Sequence, residues 1–137
     1  MATKVLDSWA LVAFFEDEPA ADRVEHLLRR AEQEKLRLLL CVVNWGEIYH
    51  NTMRQVSQEA AEQKAREIAL LPIEIVPVGD DLQLVREAAK LKAKYRLSYA
   101  DCFAAALAKT RKAELVTGDP EFKQVQSQIK ISWLASS

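Results

Sequence analysis

Short, continuously apolar runs alternate along this chain with longer segments in which apolar residues recur every three or four positions. The runs at 4–6, 36–43, 73–76, 115–117 and 129–133 predict strands. The second is apolar at nearly every position, the pattern of a strand covered on both faces of a parallel sheet. Helical spacing predicts helices over 8–15, 45–56, 58–71, 80–95 and 98–109, with a short one before the last strand. A further helix carries Pro19 in its first turn and Val24, Leu27, Leu28 and Ala31 on one face. Leu84, Ala88, Leu91 and Tyr95 share a face of the fifth helix, whereas 98–109 is apolar on nearly every side and so belongs at the centre. Strands alternating with helices predict an α/β sandwich with a mostly parallel sheet, a single domain over residues 1–137. In such sheets ligands bind beyond the carboxyl ends of the strands, where Asp7 and Asp119 fall.

Composition narrows the chemistry. Half the residues are hydrophobic and only three are glycine, which excludes a disordered chain, a P-loop and a dinucleotide-binding glycine fingerprint. The longest apolar runs are too short to cross a bilayer, and no basic-then-apolar leader precedes Val5, so the expectation is a cytoplasmic protein with no membrane contact. A net charge of −1 offers no global attraction for nucleic acid; such a partner would be met through a local patch or through metal ions. Cys41 and Cys102 have no metal-ligand spacing and read as core thiols. With two histidines and a single Glu47-x-x-His50 pair, zinc hydrolase and di-iron chemistries lack ligands, and His26 and His50 read as solvated or polar helix residues.

The acids carry the signal. Asp7 is the only charge between Lys4 and Glu16, Glu47 the only one between Arg37 and Arg54, and Asp101 the only one between Arg96 and Lys109. A carboxylate in apolar surroundings is costly unless it gains hydrogen bonds, a charge partner or a metal. Helix capping is one answer: Ser98 to Asp101 and Asn44 to Glu47 have the spacing of capping boxes, and Asp7, Ser8 and Asp119 each stand where a cap belongs. Convergence on a cation is the other, and the two are compatible. Clustered carboxylates raise one another's pKa, and the hard, oxygen-seeking ions Mg²⁺ or Mn²⁺ relieve that repulsion.

The segments Val5-Leu-Asp7-Ser8, Asn44-Trp-Gly-Glu47, Leu97-Ser-Tyr-Ala-Asp101-Cys-Phe and Leu115-Val-Thr117-Gly-Asp119-Pro-Glu-Phe stand in the order and spacing of PIN domains. The chain resembles most the VapC-type ribonuclease toxins of prokaryotic toxin–antitoxin pairs, over essentially its whole length. The resemblance implies a three-layer α/β/α fold with a sheet of about five strands, and Mg²⁺- or Mn²⁺-dependent hydrolysis of RNA phosphodiester bonds. Asp7 and Asp101 match the family's main metal ligands. Glu47 and Asp119 match the remaining catalytic acids, Asp119 also as a metal ligand, and Ser8 and Thr117 match hydroxyls that orient the carboxylates; turn or cap bonding would explain those two equally. It implies a cognate antitoxin whose carboxyl-terminal segment blocks the acidic pocket, and a homodimer.

Lys90, Lys92, Lys94 and Arg96 form the densest basic run, suited either to RNA phosphates or to a solvated helix face. Trp45 could stack on an unpaired base or pack in the core, and Trp9, Phe14 and Phe15 could line an antitoxin groove or be core. Two other functions stay open: a non-catalytic binding or assembly module whose acids are caps, and a nuclease directed at DNA or structured nucleic acid.

Overall fold

The structure is a computed structural model and describes residues 1–134. Strands β1 (Ala2–Leu6), β2 (Leu36–Cys41), β3 (Glu74–Val76), β4 (Glu114–Thr117) and β5 (Ile131–Trp133) form one sheet in the order β3-β2-β1-β4-β5, every pair parallel. Helices α1 (Ser8–Phe15) and α2 (Ala21–Glu32) link β1 to β2, and α3 (Val42–Gln55) and α4 (Gln58–Ala69) link β2 to β3. Helices α5 (Gln83–Lys94) and α6 (Tyr99–Arg111) precede β4, and a 3₁₀ helix, Pro120–Val125, precedes β5.

Alternation along the strands divides the core in two. Val5, Leu39, Cys41 and Leu115 face α5, α6 and the 3₁₀ helix; Leu6, Leu38, Leu40 and Val116 face α1 to α4. The connections run one way from β1 through β3 and the other way through β4 and β5, so crossovers of one hand put helices on both faces. The result is the three-layer α/β/α arrangement the sequence predicts. Helix α6 is the central one: Cys102 through Ala108 are all buried, and its run of alanines lets sheet and neighbouring helices approach closely. Both cysteines are buried and free.

Several boundaries differ from expectation. The second strand stops at Cys41, not residue 43, because its partners run out: β1 reaches only Leu6 opposite Leu40, and β3 only Val76 opposite Cys41. Val42 and Val43, β-branched though they are, open α3. Asn44 therefore lies inside the helix and does not cap it. Pro19 sits in the turn ahead of α2, whose cap position is Ala20. Helix α5 begins at Gln83, after Leu82 in the left-handed region at φ 64°, and β5 begins at Ile131.

Candidate metal centre

Strands β1 and β4 are neighbours, yet the chain leaves them in opposite directions across the sheet, which makes their carboxyl ends the switch point where α/β folds bind ligands. Asp7 follows β1 directly. Its extended backbone (φ −104°) places the side chain to cap α1, with Oδ1 accepting from Ala10 N at 2.9 Å. Oδ2 accepts from the Thr117 hydroxyl, at the end of β4, at 2.5 Å. That hydroxyl in turn accepts from Asp119 N at 3.1 Å, and Asp119 Oδ1 caps the 3₁₀ helix through Glu121 N at 3.0 Å.

The other two acids come from helices. Asp101 lies in the first turn of α6, its N–H donating to the Ser98 hydroxyl at 3.1 Å. That is the Ser98 half of the expected capping box. Glu47 lies one turn into α3, where the Ser8 hydroxyl donates to its Oε1 and stands 3.3 Å from Asn44 O. Ser8 and Thr117 thus contact the carboxylates directly, beyond any turn bonding of their own.

Burial and mutual repulsion set the electrostatics. Asp7 is 1% exposed; desolvation, with the charges of Asp101 and Asp119 adding to it, pushes its carboxyl up to about 7 against the hydrogen bonds from Thr117 and Ala10. Burial likewise pushes Asp101 up to about 6, with Glu47, Asp119 and Glu121 contributing and Ser98 opposing. Among the described residues, no ion pair involves Asp7, Glu47, Asp101 or Asp119. The structure therefore brings the four acids into one electrostatically coupled group with no cationic side chain paired to it.

Asp101, Asp119 and Glu121 each offer a carboxylate oxygen, all within 4.8 Å of one another. Oxygen donors at that spacing, near buried carboxyls whose charge is uncompensated, fit a hard divalent cation. Both oxygens of Asp7, which feels the charges of Asp101 and Asp119, are hydrogen-bonded, to Ala10 N and to the Thr117 hydroxyl. Glu121 is the acid that sequence reasoning passed over. Its place two residues after Asp119, across Pro120, was the available signal, but only the tight 3₁₀ turn turns that spacing into proximity.

The remaining candidates divide. Lys90 pairs with Glu87 at 3.3 Å, Lys92 donates to Leu97 O at 2.7 Å and Lys94 lies over the Tyr95 ring, so much of the basic run is tied to the fold. Trp45 is half-buried and stacked on Tyr49, and Phe14 and Phe15 pack against the α1–α4 side of the core. Trp9 lies flat over Gly118, between β4 and Asp119: a Cβ there would come within 2.2 Å of the indole. A cleft of about 590 Å³ lined by Lys4, Lys109, Lys112 and Lys130 lies at the opposite, amino-terminal end of β1 and β4, away from the acids.

Comparison with known proteins agrees with this fold. The PIN-domain sequence profile matches residues 4–127. No curated protein matches the chain. Among solved structures, DNA-bound VapBC from Salmonella typhimurium is similar with a TM-score of 0.76 at 14% identity, covering 98% of this chain and 100% of that one. VapBC2 from Rickettsia felis, bound to a DNA fragment from its promoter, has a TM-score of 0.70 at 16% identity, covering 95% and 97%. VapC20 from Mycobacterium tuberculosis, a sarcin–ricin-loop-cleaving toxin, has a TM-score of 0.68 at 13% identity, covering 89% and 94%.

Proposed function

This chain belongs to the PIN-domain family, a family of nucleases, and on that premise we propose that it is a Mg²⁺- or Mn²⁺-dependent endoribonuclease acting as the toxin of a toxin–antitoxin pair. The observation that carries the reading is the convergence of Asp7, Glu47, Asp101 and Asp119 at the β1–β4 switch point, with two of them held near neutral pKa and no cation paired to the group. Caps alone account for Asp7 and Asp119, but they give no reason for Glu47 and Asp101 to share that space.

In this proposal Asp7, Asp101 and Asp119 would hold the cation, with the Asp7 carboxylate oriented by the Thr117 hydroxyl. A bound divalent ion supplies Lewis-acid activation of water and neutralises charge developing on the phosphate. Glu47, oriented by Ser8, accepts a hydrogen bond from the attacking water and sets its direction. The amino terminus of α6, with its partial positive charge, faces the same acids. RNA as substrate is supported by the neighbour that cleaves the sarcin–ricin loop, and an antitoxin partner by the neighbours solved as toxin–antitoxin complexes. A homodimer and a cytoplasmic location complete the proposal; no helix among the described residues is long and apolar enough to cross a membrane.

The test is incubation of the purified protein with structured cellular RNA, and in parallel with DNA, in Mg²⁺ or Mn²⁺. Discrete RNA fragments that vanish with a chelator and in Asp101→Asn support the proposal. Cleavage of DNA alone moves it to a DNA-directed nuclease. Intact RNA and DNA, with no Mn²⁺ bound, leave the acids as caps of a binding module.

A further inference from the structure

Asn44 is fully buried in the first turn of α3, and it touches the neighbourhood of three acids. Its Nδ2 donates to Ala100 O at 3.1 Å, one residue before Asp101. Its main-chain oxygen faces the hydroxyl of Ser8, one residue after Asp7, at 3.3 Å. Glu47 is its i+3 neighbour, on the same side of α3.

The bond to Ala100 is not one the fold requires. Ala100 O lies inside α6, where the helix ladder already uses it. Asn44 Oδ1, moreover, is buried with no donor among the described residues, which is a cost an apolar residue of similar volume would remove. A side chain that carries that cost while joining two helices at the residues beside their carboxylates acts on position.

We infer that Asn44 is a positioning residue, clamping the first turn of α3 to the first turn of α6 so that Asp101, with Glu47 beside it, keeps the position that cation binding needs. The inference rests on the metal-dependent nuclease reading above. Losing a group that orients ligands in this way weakens metal affinity by about ten-fold or more.

The experiment is Mn²⁺ titration by calorimetry, with thermal unfolding of the metal-free proteins, on wild type, Asn44→Leu and Asn44→Ala. The expected result is that Asn44→Leu melts at or above the wild-type temperature and binds Mn²⁺ at least about ten-fold more weakly. Asn44→Ala, which also opens space, provides the same affinity comparison should the leucine not be accommodated. Wild-type affinity in either folded variant overturns the inference and leaves the nuclease reading standing. Wild-type protein that binds no Mn²⁺ overturns the nuclease reading, and the inference falls with it.

Discussion

The hydroxyl of Thr117 donates to Oδ2 of Asp7 at 2.5 Å, joining the ends of two adjacent strands whose residues lie 110 positions apart in sequence. It is one of two hydrogen bonds favouring the charged form of a carboxylate that burial otherwise drives towards neutrality. Thr117→Val keeps the shape and removes the donor. We expect Asp7 to hold its proton to still higher pH and Mn²⁺ affinity at neutral pH to fall by roughly ten-fold. Calorimetric titration at several pH values checks this; an unchanged pH profile would mean the hydroxyl serves only the turn.

Asp7 and Asp101 also give the metal-free protein an unusual pH dependence. Both carboxyls are raised by folding, so above their ordinary range the folded state keeps protons that the unfolded chain has released. Stability therefore falls as pH rises from about 4 through 7, by an amount on the order of a few kcal/mol. Below that window the trend reverses, because Glu114 beside Lys4 lies below its ordinary range and loses its pairing on protonation. Urea midpoints at about pH 5 and pH 8 should differ accordingly. Mn²⁺ should narrow the gap, since it binds the deprotonated form, and Asp7→Asn should shrink it without metal.

Gly118 is required for room, since its φ lies outside the left-handed region. A Cβ there would overlap three atoms of the Trp9 ring, the nearest at 2.2 Å. Gly118→Ala should destabilise by about 1–3 kcal/mol. Combining it with Trp9→Leu should recover part of that loss in a double-mutant cycle. Additive effects would contradict the contact.

Much of this architecture can be read from the chain because the acids punctuate it. Asp7 ends an apolar run and starts a helix in one residue, and Ser98 with Asp101 marks α6 to within a position. What could not be read depends on partners distant in sequence. Val42 and Val43 continue the strand pattern, and only the absence of facing residues on β1 and β3 ends it. Asn44 has the spacing of a cap, but its side chain is committed to Ala100, 56 residues away. Glu121 joins Asp101 and Asp119 only once the 3₁₀ turn has formed. The local rules held at Asp7 and Ser98, whose capping partners are near neighbours, and failed at Asn44, whose partner comes from another layer.

The most direct measurement is an anomalous difference map from crystals soaked in Mn²⁺. The account predicts a peak between Asp101 and Asp119, with oxygen distances of about 2.0–2.2 Å and the Asp7 carboxylate still held by Thr117. The peak should be lost in Asp101→Asn. A map with no peak among Asp7, Glu47, Asp101 and Asp119 at saturating Mn²⁺ would contradict it.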